Sequence, residues 1–123
     1  MNKRRSFIVG IKSTKLSAKE KSFLKKYKPW GVILFTRNIK NIDQTLKLTT
    51  SIRKLFKDKK YPILIDQEGG RVNRIDKIIS FDNLTAEFFG KLYKNDKKKF
   101  NILYKLFVDK TSYLLKLIGV NIN

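Results

Sequence analysis

Ile63-Leu64-Ile65-Asp66-Gln67-Glu68-Gly69-Gly70-Arg71-Val72-Asn73-Arg74 joins an apolar run directly to two carboxylates, two glycines and two arginines. Tyr61-Pro62 opens the run, and its short, β-branched character predicts a buried strand. The polar residues then fall just past the strand's C-terminal end, where parallel α/β folds bind their ligands. Asp66 and Glu68 stand two apart and share a face in extended backbone. Consecutive glycines let the chain turn sharply or pass close to a ligand. Arg71 and Arg74 can pair with the acids or donate to hydroxyls. The alternative is a salt-bridged loop that closes the top of a sheet. A sharper reading makes Asp66 and Glu68 the acid and nucleophile of a glycosidase. It is disfavoured, because such a retaining pair sits about 5 Å apart across the bond being cut, whereas neighbours on one strand end approach from one side.

Working outward, the chain alternates strand-like and helix-like segments. Phe7-Ile8-Val9-Gly10-Ile11 reads as a buried strand. Ser17, with Glu20 three residues on, forms a capping box that opens a helix reaching about Tyr27, with Phe23, Leu24 and Tyr27 inward. Lys28-Pro29 ends it. Val32-Ile33-Leu34-Phe35 is a second strand, and Thr36-Arg37-Asn38 is the loop after it. Asn41 or Asp43 starts a second helix whose inward stripe is Leu46, Thr49, Ile52, Arg53 and Phe56. After the third strand and an irregular stretch over residues 73–85, helices are expected over 86–93 and about 96–118. Gly119 stops the last of these, and Val120-Asn121-Ile122 begins a fourth strand. Continuous apolar strands separated by helices imply a parallel sheet covered on both faces. A (β/α)8 barrel and an open doubly wound sheet both fit, and periodicity does not choose between them. No glycine-rich nucleotide loop follows the first strand.

Composition narrows the chemistry. The 41% hydrophobic content suits one globular domain, and no apolar run is long enough to span a membrane. The basic start, residues 1–5, precedes an apolar stretch too short for a signal peptide, so a cytoplasmic location is expected. The formal net charge is +19. The excess is mostly lysine and is spread along the chain. It is read as compositional bias with loose affinity for polyanions, so no specific nucleic-acid partner and no membrane partner are expected. The chain contains no histidine and no cysteine. Serine–histidine and cysteine–histidine catalysis and His-based zinc sites are therefore excluded, and neither cofactor nor metal is expected.

Pro29-Trp30-Gly31-Val32-Ile33-Leu34-Phe35-Thr36-Arg37-Asn38-Ile39 resembles the second-strand motif of bacterial glycoside hydrolase family 3 β-N-acetylhexosaminidases. The segment Ile63 through Val72 resembles their third-strand signature. Residues 84–93 and Ile118-Gly119-Val120-Asn121-Ile122-Asn123 resemble the stretches that follow, in order and at similar spacing. The resemblance implies a (β/α)8 barrel, of which residues 1–123 supply the first three βα units and the start of the fourth strand. It also implies a retaining enzyme that removes terminal β-linked N-acetylglucosamine from muropeptides during peptidoglycan recycling. By the same resemblance Asp66 and Arg74 bind the sugar, Glu68 and Arg71 form a supporting pair that shapes the turn, and Arg37 and Asn38 support the rim. The family's aspartate nucleophile and histidine acid/base lie outside this sequence, so the chain is expected to be a truncated frame without glycosidase activity of its own. Two other readings stay open: another family 3 activity such as a β-glucosidase, and a non-catalytic basic or sugar-binding remnant.

Overall fold

A computed structural model describes residues 4–123. Three parallel strands, β1 (Arg5–Gly10), β2 (Pro29–Ile33) and β3 (Ile63–Leu64), form a sheet in the order β1-β2-β3. Helices α1 (Ala18–Tyr27) and α2 (Ile42–Phe56) make the first two crossovers. The third holds an irregular stretch and the pair α3 (Ala86–Asn95) and α4 (Lys97–Leu117). The final residues return beside β3 through a parallel bridge between Leu64 and Ile122. Ile65 N–H donates to the Ile122 carbonyl at 3.0 Å, and Asn121 N–H donates to that of Ile63 at 3.0 Å. The chain is thus an α/β fold with a small parallel sheet.

Local sequence explains most of the boundaries. Ser17 Oγ accepts from Glu20 N–H at 3.2 Å while a Glu20 carboxylate oxygen accepts from Ser17 N–H at 2.9 Å, the expected capping box. Asn41 caps α2 by accepting from Gln44 N–H at 2.8 Å. Asp96 closes α3 through its N–H and opens α4 through its carboxylate, which accepts from Lys99 N–H at 2.9 Å. Helices α1 and α2 end on Lys28 and Lys57, both left-handed, with φ of 49° and 51°. Glycine is the usual residue there, and a side chain in that conformation costs about 1 kcal/mol.

The core gathers Leu24, Val32, Leu34, Ile52, Ile63 and Ile118 between the sheet and the helices. Tyr61 is fully buried and stacks on Phe56 with ring centroids 3.9 Å apart. Its hydroxyl donates to the Pro29 carbonyl at 2.9 Å, and burial pushes its pKa up to about 12.

Four expectations are corrected. Residues 7–11 are not a buried strand: β1 spans Arg5–Gly10 at the sheet edge with no buried residue, and Ile8 is 45% exposed. Phe23 is 43% exposed rather than inward; it packs on Tyr27 at the surface, and α1 buries only Leu24. Leu46 is 40% exposed, because α2 turns inward a stripe of Thr45, Leu48, Thr49 and Ile52. The two threonines tolerate burial because Thr45 Oγ1 donates to the Asn41 carbonyl at 2.7 Å and Thr49 Oγ1 to the Ile118 carbonyl at 2.9 Å. Strand β2 begins at Pro29 rather than Val32, since its first residues already pair with β1. Phe35 has left the strand and caps a 3-10 turn over Thr36–Asn38.

Candidate functional site

The ends of β1 and β2 are fastened together by side chains from the 3-10 turn. Asn38 is buried. Its amide donates to the carbonyls of Ile11 at 3.1 Å and Ser13 at 2.9 Å, and its oxygen accepts from Phe35 N–H at 2.9 Å. Arg37 Nε donates to the Ile11 carbonyl at 3.0 Å. These bonds tie the loop after β1 to the turn after β2. Arg37 also lays its guanidinium over the Phe35 ring, 4.7 Å from the centroid.

Past β3 the chain makes a tight loop. Gly69 and Gly70 have φ of 90° and 57°, a left-handed path that favours glycine. The N–H groups of Glu68 and Gly69 both donate to the Val72 carbonyl, at 3.0 and 3.2 Å. A side chain at Gly69 would place its Cβ 2.7 Å from the Leu84 carbonyl oxygen. The loop brings Arg74 back to Asp66. Arg74 Nε donates to Asp66 Oδ1 and Nη2 to Oδ2, both at 2.7 Å, a two-pronged charge-assisted contact. The same guanidinium stands 5.6 Å from the Phe35 ring centroid.

Gln67 holds this return in place. It is buried, and its side-chain oxygen accepts from Arg74 N–H at 2.8 Å and Ile75 N–H at 3.3 Å. Its amide donates to Asn73 Oδ1 at 2.9 Å, and Asn73 in turn donates to the Ile79 carbonyl at 3.0 Å. Asn123 grips the backbone of Gln67 from the neighbouring strand, accepting from its N–H at 2.8 Å and donating to its carbonyl at 3.1 Å. Gln67, Asn73, Asn123 and Phe35 carry no sequence signal for these roles beyond being amides and an aromatic near the motif.

The structure brings Asp66, Arg74, Arg37 and Asn38 to one end of the sheet. It does not make the expected pair of Glu68 and Arg71: both are exposed, and no ion pair joins them among the described residues. The loop is instead shaped by backbone hydrogen bonds and the two left-handed glycines. Glu68 reaches Arg74 only as a nearby charge that helps raise its pKa. Among the described residues no group of three or more carboxylates gathers into a metal site.

The hydrogen bonds from Arg74 hold the Asp66 carboxyl below the usual carboxylate range, with burial opposing more weakly. Its pairing therefore contributes stability above the unfolded pKa, about 3.9. That contribution is lost as pH falls through the lower folded value. Carbon-detected NMR should find the Asp66 carboxyl titrating below an unpaired aspartate, and Arg74→Ala should move its midpoint up. An unchanged midpoint in Arg74→Ala would remove the guanidinium as the cause. The pair is open to solvent, with 40% of the Asp66 side chain exposed, so its effect on folding is small.

An acid and a guanidinium stand together past the C-terminal ends of parallel strands, the end of the sheet at which parallel α/β folds carry their ligand sites. Comparison with known proteins narrows the class. The beta-hexosaminidase of Xanthomonas campestris pv. campestris (strain B100) is 36% identical over 90 residues, which are 72% of this chain and 26% of that protein. NagZ from Neisseria gonorrhoeae, in complex with N-trifluoroacetyl-D-glucosamine, matches with a TM-score of 0.64 and 33% identity over 76% of this chain and 26% of its own. A glycoside hydrolase family 3 beta-N-acetylglucosaminidase from Paenibacillus sp. str. FPU-7 matches with a TM-score of 0.50 and 27% identity over 55% of this chain and 14% of its own. No protein-family profile matches the chain. Over the matched segment the chain is a relative of the family 3 β-N-acetylhexosaminidases, as its second- and third-strand motifs suggested, and it spans about a quarter of the length of the curated relatives it matches. No helix among the described residues is long and apolar enough to cross a membrane.

Proposed function

We propose that this chain provides the first strands of a family 3 (β/α)8 barrel and, on them, the hydroxyl-binding part of a subsite for terminal β-linked N-acetylglucosamine. The single observation that carries the reading is the Asp66–Arg74 fork at the rim of β3. Ring hydroxyls are donors and acceptors at once, and this pair offers carboxylate lone pairs beside guanidinium N–H groups. Arg37 and Asn38 support the rim, and Glu68 and Arg71 flank the loop. The sequential parallel order, with residue 122 beyond β3, supports a barrel over a doubly wound sheet, whose strand order reverses at a switch point. The Neisseria relative's bound N-trifluoroacetyl-D-glucosamine supports an N-acylglucosamine as ligand. In the whole enzyme the reaction is hydrolysis of the terminal glycosidic bond, on muropeptides in the cytoplasm.

The test is a titration of the isotope-labelled chain with N-acetylglucosamine, followed by amide and guanidinium NMR signals. Shifts centred on Asp66, Arg74 and the loop between them are expected. Saturable shifts confined to another part of the molecule would sink the reading, as would none at all at millimolar sugar.

A further inference from the structure

The opposite end of the sheet carries a second cleft that the sugar subsite does not use. A cavity of about 680 Å3 opens where α1 and α2 end and β2 begins, within the size range of small-ligand sites. Arg4, Lys25, Lys28 and Lys57 line it, against the single carboxylate of Asp58. Asp58 is already engaged by Arg4, and the three lysines have no ion-pair partner among the described residues. Two aromatic residues, Phe56 and Trp30, also line it, and Trp30 is 42% exposed.

Lys28 and Lys57 are the two non-glycine residues with positive φ among the described residues, and both line this one cavity. Each holds a backbone strain that glycine would relieve. Such outliers gather where function keeps them. Helix C-termini do favour cations, but that accounts equally for lysines in the last helical turn, where no strain is needed.

We infer that this cleft binds a small ligand joining a flat ring to a chain of phosphates, the chemistry of a nucleoside diphosphate. The indole face stacks the ring, since aromatic side chains accept any base. The ammonium groups meet the phosphates as point charges.

The chain's single tryptophan is Trp30, so its fluorescence reads the cleft directly. The purified chain is titrated with ADP, inorganic pyrophosphate and adenosine in magnesium-free buffer of physiological ionic strength. Saturable one-to-one quenching by ADP is expected, with each part alone binding about tenfold more weakly or worse. The double variant Lys28→Gly, Lys57→Gly should lose about tenfold in ADP affinity while its denaturation midpoint rises, because the strain is gone. The variant Lys98→Gln, Lys99→Gln removes the same charge outside the cleft and should leave ADP affinity within about twofold. Equal losses in the two double variants would reduce the site to diffuse attraction by a basic protein and overturn the inference. ADP binding no tighter than pyrophosphate, or no saturable quenching, would do the same.

Discussion

Asp66→Ala is expected to weaken N-acetylglucosamine binding by roughly 10–100-fold while leaving the fold intact. Hydrogen bonds to a charged partner contribute about 1.5–3 kcal/mol each, and one such bond corresponds to that range of affinity. The carboxylate also fixes Arg74, whose Nε and Nη2 both donate to it at 2.7 Å. Without Asp66 the Arg74 backbone N–H keeps its hydrogen bond to the Gln67 side chain, but the guanidinium loses its orientation, so both halves of the subsite suffer from one change. Asp66→Asn should fall between, since an amide keeps one acceptor and turns a donor toward the guanidinium. Stability should change by less than about 1 kcal/mol in either variant, because the pair is solvent-exposed. Binding follows from the NMR titration and stability from urea unfolding. Wild-type affinity in Asp66→Ala would remove the pair from the subsite, and a large loss of stability would turn it into a structural bridge.

The largest stability effect is expected at Gly119, where alanine should cost about 3 kcal/mol. Its φ is 81°, a conformation that costs a side-chain-bearing residue about 1 kcal/mol. A Cβ there would press into Thr49 Oγ1 and stand 2.9 Å from Arg53 Nη1, and such overpacking costs a further 1–3 kcal/mol, roughly. Both side chains are held at that spot: Thr49 donates to the Ile118 carbonyl at 2.9 Å and Arg53 to that of Gly119 at 2.6 Å. This contact locks α2 against the end of α4 and so places the last residues beside β3. Gly90 is the control. Nothing lies within 4 Å of a Cβ built there, and it sits inside α3, so Gly90→Ala should stabilise by about 0.5–1 kcal/mol. Urea unfolding of the two variants should move in opposite directions. A Gly119→Ala variant as stable as the parent would show that the α2–α4 junction yields without strain.

Much of this was legible in the sequence because it is local. The capping box at Ser17 and Glu20, the Asn41 cap, the stop at Gly119 and the positions of three strands depend on residues a few positions apart, and the structure has each of them. The order of strands and helices followed from those signals. The rotation of each helix did not. Thr49 and Ile52 face inward as their spacing predicted, but Leu46 is exposed and Thr45 and Leu48 complete the buried stripe, a rotation held by the Thr49 hydroxyl on the Ile118 carbonyl, which is remote in sequence.

The site divides in the same way. Residues 63–74 alone placed acids and arginines past a strand end, fit either to pair with one another or to donate to hydroxyls. The expected pair was Glu68 with Arg71, and the folded loop instead sets Arg74 on Asp66 and leaves Arg71 and Glu68 in solvent. The amides that enforce this choice, Gln67, Asn73 and Asn123, act through directional hydrogen bonds between segments up to 56 residues apart. Composition and periodicity register what a residue is and its spacing along the chain. Partnership between polar groups is set by where the packed core brings them, and only the tertiary structure decided that.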